Sequence, residues 1–139
     1  MRGIVSLYTG GADQATGDIN RAAEFAPNLI PAVLWQQVVS GRKSQLVAFA
    51  ARTDLTPWPG PLVRLMLGEV SLDNLLAGAD DLSATQRTRN ICQGSFWAGE
   101  LKLLEGARDQ AKGLIERAAA TCPQTFIEWF AANAELKTL

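Results

Sequence analysis

The chain has 139 residues, 47% of them hydrophobic and 19% charged, the size and balance of a folded domain rather than a disordered segment. A net charge of −1 without a basic cluster excludes the electrostatic footprint of a nucleic-acid binder. No apolar run approaches the roughly 18 residues of a membrane-spanning helix, so no direct membrane insertion is expected. Histidine is absent, which removes imidazole bases and histidine metal ligands, and two cysteines alone cannot build a structural zinc site. The expectation is a protein with no catalytic residues, no metal and no cofactor.

The first element recurs. Shifted by 96 positions, residues 3–27 match 99–123 without a gap, with 12 of 25 positions identical. Average residue usage would give about two. The pairs run from Gly3/Gly99 through Leu7/Leu103, Gly10/Gly106, Asp13/Asp109, Gln14/Gln110, Ala15/Ala111, Gly17/Gly113, Ile19/Ile115, Arg21/Arg117, Ala22/Ala118 and Ala23/Ala119 to Pro27/Pro123. The pattern describes two helices in close contact. Gly3 or Gly99 lets the second helix approach the first. Ala15, Ala22 and their partners lie two turns apart on the facing side. Gly10 or Gly106 ends the first helix, and Pro27 or Pro123 stops the second.

The middle is less regular. Residues 29–40 and 43–53 read as a helix pair divided by Gly41. Pro57, Trp58, Pro59 and Pro61 mark a break and then a helix start, with a helix from about 61 to 68 ending at Gly68. A short helix over about 72–79 follows, capped by Ser71. Asp80-Asp81, the only adjacent acidic pair, reads as a solvated turn. Ser83 with Gln86, and Thr125 with Glu128, have capping-box spacing and predict two further helix starts. In the last helix Phe126, Phe130, Ala134 and Leu136 supply an apolar stripe.

Residues 92–125 resemble a tetratricopeptide repeat of 34 residues, through Gly99, Gly106, Ala111, Ile115, Ala118 and Pro123 at the family spacing. They depart from it at Ser95, Ala98 and Lys102, where the family has an aromatic, a leucine and a tyrosine. The resemblance implies an all-α fold, a right-handed superhelix of antiparallel helix pairs. One domain over 1–139 is expected, with repeats at about 1–28, 29–57, 58–82 and 84–124 and a capping helix at 125–138. The order WPGP, LMLGEVS, FWAGE, FIEW and AEL over about 58–139 also resembles bacterial proteins of the NlpI-type tetratricopeptide group, which implies an adaptor role. In the family frame Gly3 falls so far into its repeat that the repeat would start before Met1. Either that repeat is shortened or the chain is a fragment of a longer protein, which is the favoured expectation.

In the family, partners bind the concave surface lined by first helices. Carried over by position, that implies Gln93, Phe96, Glu100 and Leu103, with Gln36, Gln37 and Arg64 facing the same groove from the middle pairs. The positions that clamp a chaperone C-terminus in some members carry Gln93, Phe96, Trp97 and Glu100 here, which argues against a carboxylate clamp. A protein or peptide partner is expected. The competing expectations are an accessory domain of a longer enzyme or membrane-anchored protein, and a homodimer through the N-terminal end, which carries Ile4, Val5, Leu7 and Tyr8. In this frame Cys92 opens the last full pair and Cys122 closes it, so the two sulfurs should be neighbours, either as buried thiols or as a disulfide. Bacterial cytoplasm and periplasm both stay open, the periplasm being favoured by a disulfide.

Overall fold

The computed structural model describes residues 30–41, 43–77 and 83–139, and among them every regular element is a helix. The chain divides into two compact units, Met1–Leu67 and Gly68–Leu139. The boundary falls inside the stretch 58–82 expected as one repeat. The expected first repeat, its apolar N-terminal end and Asp80-Asp81 lie outside the described residues.

In the first unit, α1 (Ile30–Ser40) buries six consecutive residues, Ala32 to Gln37. It ends at Gly41, whose φ of 67° belongs to the left-handed region and whose N–H donates to the Gln37 carbonyl at 2.8 Å. The second helix, α2 (Ser44–Ala51), is shorter than the expected 43–53 and buries Leu46 and Phe49, one turn apart on one face. A turn then carries buried Leu55 and a cis Trp58–Pro59 peptide. Gly60 opens α3 (Gly60–Met66) so close to the Leu55 backbone that a Cβ there has no room. That helix buries Leu62, Val63, Leu65 and Met66 and leaves Arg64 exposed. It stops at Met66, and Gly68 serves the following turn rather than the last helical position.

In the second unit, α4 (Leu72–Ala77) is capped as expected, with the Asn74 N–H donating to Ser71 Oγ at 3.1 Å. Next comes α5 (Ala84–Leu104), a helix of 21 residues. Nothing between Ser83 and Gly106 breaks it, since the segment has no proline and its two glycines are in packed positions. Its seven residues Gly94–Glu100 are all buried, so it is surrounded along its middle. The two glycines stand about 140° apart around the axis. Gly94 lies under Leu72, Leu75 and Leu76 of α4, while Gly99 lies under Ile115.

Gly106, with φ of 80°, ends α5 in a Schellman motif: the Ala107 N–H donates to the Lys102 carbonyl and the Gly106 N–H to the Leu103 carbonyl. The chain returns as α6 (Arg108–Thr121), which buries Ala111, Ile115 and Ala118. Two contacts fix this antiparallel pair. Gly99 meets Ile115, and seven residues back along α5 and seven forward along α6, Cys92 meets Cys122. Pro123 then holds Cys122 in extended backbone, and α7 (Ile127–Leu136) follows. The same 96-residue shift found in the sequence carries α7 onto residues 31–40, the span of α1 to within one residue.

Two details of the sequence reading change. Cys92 does not open its helix; it is the ninth residue of α5, which overhangs α6 by about two turns. The Thr125/Glu128 capping box does not form. Phe126 occupies the cap position without a side-chain hydrogen bond, because Glu128 is buried and turned toward α5. The fully buried side of α7 is Glu128, Ala131 and Ala132, whereas Phe126, Phe130, Ala134 and Leu136 are half-buried.

Candidate functional site

The residues expected to line a partner groove divide by burial. Phe96 is fully buried and packs edge-to-face on Trp97, with ring centroids 5.1 Å apart. Glu100, Gln36 and Gln37 are 2%, 9% and 3% exposed. These four are interior side chains, which corrects the expectation that they offer an open surface. The reason is the packing of α5 and α1: both are covered along their middle, and period alone does not reveal how many neighbours a helix has. Arg64 is exposed on α3, and Gln93 and Leu103 are half-buried on α5.

Gln93 reaches α7, where its Nε2 donates to Glu128 Oε1 at 3.1 Å. One turn earlier on α5, the Arg89 guanidinium lies 5.9 Å from the centre of the Phe126 ring. Both contacts advance in the same sense along α5 and α7, so those helices run in the same direction. A row of side-chain amides, Gln86, Asn90 and Gln93, follows this side of α5. Gln86 illustrates how it is organised: its backbone N–H donates to Ser83 Oγ at 3.1 Å, while its side chain turns forward to Asn90 Oδ1 at 2.8 Å. Sequence reasoning passed over Asn90 and Glu128 as site residues, although the amide spacing Gln86, Asn90 and Gln93 on one side of a helix is a visible signal.

Cys92 and Cys122 are joined as a disulfide, with Cα atoms 4.7 Å apart, and both residues are buried. Among the described residues no group of three or more histidine, cysteine, aspartate or glutamate side chains is placed to hold a metal, and no helix is long and apolar enough to cross a membrane. In the first unit, Asp54 accepts a hydrogen bond from the Thr56 backbone N–H at 3.0 Å. That bond and then the Thr56 hydroxyl hold its carboxyl below the usual range against the opposing effect of desolvation, with the charge of Arg64 as the least of the causes. Compared with known proteins, the chain matches no family model, no curated protein and no solved structure.

Proposed function

We propose that this chain is a non-catalytic scaffold of the tetratricopeptide type that binds a protein or peptide partner. One observation carries the reading. An antiparallel pair, α5 and α6, is followed by a third helix that runs parallel to the first and touches it at residues 35 apart, Gln93 and Glu128. A 34-residue repeat places its first helices in that relationship. The 96-residue offset also carries the span of α7 onto that of α1, which supports it further. Burial of Phe96, Glu100, Gln36 and Gln37 leaves Arg64 as the accessible candidate of the first unit, and Gln93 and Leu103 as those of the second. A buried disulfide favours an oxidising compartment, which for an adaptor of this resemblance is the bacterial periplasm.

The test is a pull-down with the immobilised full chain, comparing wild type with Arg64→Glu and Leu103→Asp. Loss of the same bound protein from either variant, with the helical circular-dichroism spectrum kept, supports the reading. Retention of that protein by both variants rejects both positions as partner contacts.

A further inference from the structure

We propose that Cys122 is the sulfur at which this disulfide exchanges with a small thiol–disulfide couple of the glutathione class, and that Cys92 is the shielded partner that leaves and returns. The inference goes beyond the scaffold reading and holds whatever the repeat binds.

The two half-cystines occupy unequal places. Cys92 is the ninth of 21 residues in α5, beside the fully buried run Gly94–Glu100. Baring it requires the packing of α5 to open. Cys122 caps the C-terminal end of α6 in extended backbone, with φ of −71° and ψ of 135°. Its N–H donates to the Ala118 carbonyl, and Pro123 behind it has no N–H to continue the ladder. The corner from there to α7 is held in its backbone by the Phe126 N–H donating to the Pro123 carbonyl at 2.9 Å. Helix ends and short corners open at far lower free energy than a packed helix centre. Cys122 is already 7% exposed, against 0% for Cys92.

The exchange balances as follows. A glutathione thiolate attacks Cys122 Sγ from the side opposite Cys92. A new sulfur–sulfur bond forms to Cys122, the Cys92–Cys122 bond breaks, and Cys92 leaves as a thiolate that takes up a proton. A second glutathione thiolate then attacks the glutathionyl sulfur, releasing Cys122 as a thiolate and glutathione disulfide. In the oxidising direction both steps reverse: Cys122 takes glutathione from glutathione disulfide, and the Cys92 thiolate displaces it. Two effects oppose each other. A buried Cys92 thiolate is a slow leaving group. Attack at Cys92 instead would need α5 unpacked, a nearly global event, so access decides.

The wild-type full chain suffices for the test. Oxidised protein is exposed to reduced glutathione in a series of urea concentrations from zero through the unfolding transition. Freed thiols are then alkylated with iodoacetamide, and tryptic peptides 90–102 and 118–137 are weighed; each contains one of the two cysteines. The expected product carries glutathione on Cys122 and the alkyl group on Cys92, in excess over the reverse by about tenfold or more. Glutathione chiefly on Cys92, or equal labelling of the two, overturns the assignment. Reaction confined to the global unfolding transition overturns it too, because the route then does not run through the α6 corner.

Discussion

Gly99 and Ile115 meet across the α5–α6 pair so closely that a Cβ on Gly99 would stand 2.6 Å from Ile115 Cδ1 and 2.9 Å from its Cγ1. Ile115 is fully buried, so any shift of its side chain has to displace packed neighbours. Alanine is the better helix former by about 1 kcal/mol, but overpacking of a closed core costs about 1–3 kcal/mol. Gly99→Ala should therefore destabilise the protein by roughly 1–2 kcal/mol in urea unfolding. Ile115→Val, harmful alone, should recover part of that loss in the Gly99→Ala background. Additive effects in the double variant would mean that the two residues do not collide.

Gly113 gives the opposite expectation. It lies inside α6, is exposed, and has nothing within 4 Å of where a Cβ would go. Gly113→Ala should stabilise by about 0.5–1 kcal/mol through the helix alone. The same substitution thus changes sign between two glycines that share the internal repeat, and thermal unfolding of the two variants side by side tests this.

Ser95 is fully buried in the middle of α5, and among the described residues its Oγ has no hydrogen-bond partner. An unsatisfied buried hydroxyl costs about 1–3 kcal/mol. Replacing it with alanine removes the polar atom and leaves only a small void. Ser95→Ala is expected to raise the urea midpoint, with a gain on the order of 1 kcal/mol. A clear loss of stability would show that the hydroxyl is satisfied.

The features legible in the sequence are those a local rule dictates. Gly106 ends α5 with φ of 80°, Ser71 and Ser83 cap their helices, and Gly99, Ala111, Ile115 and Ala118 form the close face of one pair. What escaped depends on neighbours that are distant in sequence. The family frame started the helix at Cys92, although Ser83 is a cap and nothing up to Gly106 breaks the helix. Thr125 and Glu128 have capping-box spacing, but Glu128 is drawn to Gln93, so α7 starts without the box. Phe96 and Glu100 sit where the family binds partners, and here a helix covered along its middle makes them interior. Periodicity names the side of a helix, not the number of helices around it.

Asp54 sets a pH dependence. Its carboxyl is held below its ordinary value of 3.8, first by the Thr56 N–H. A depressed folded-state pKa means that its stabilising effect is fully present above the unfolded value and is lost as pH falls through the folded one. The stability difference between wild type and Asp54→Asn should therefore be constant from neutral pH down to about 4 and shrink below that. A difference that persists unchanged at lower pH would assign the effect to the amide's geometry instead of to charge.

Removing both sulfurs tests the staple itself. Cys92 and Cys122 close a loop with a sequence separation of 30 residues. On the chain-entropy argument such a cross-link stabilises by about 3–4 kcal/mol. The Cys92→Ala, Cys122→Ala double variant should lose an amount of that order in denaturant unfolding, and wild type under strong reductant in urea should approach it. Equal stability with and without the bond would mean that packing at Gly99 and Ile115 already fixes the pair.

Gln93 and Glu128 form a side-chain hydrogen bond between α5 and α7, which with Arg89 over Phe126 holds α7 in register on α5. Glu128 is buried, with Gln93 Nε2 at 3.1 Å from one carboxylate oxygen. A hydrogen bond to a charged group contributes about 1.5–3 kcal/mol, and a buried carboxylate left without its donor costs more than that gain. Gln93→Ala should therefore harm stability more than the loss of its apolar contacts accounts for. Glu128→Gln keeps the shape and an acceptor and should be milder than Glu128→Ala. Because Gln93 makes other interactions as well, only the double-mutant cycle with Glu128→Ala isolates the pair. A coupling of at least about 1 kcal/mol is expected in urea unfolding followed by tryptophan fluorescence. Coupling indistinguishable from zero would leave α7 positioned by the packing of Ala131 and Ala132 and by Arg89 over Phe126, and the parallel α5–α7 relationship would lose its polar lock.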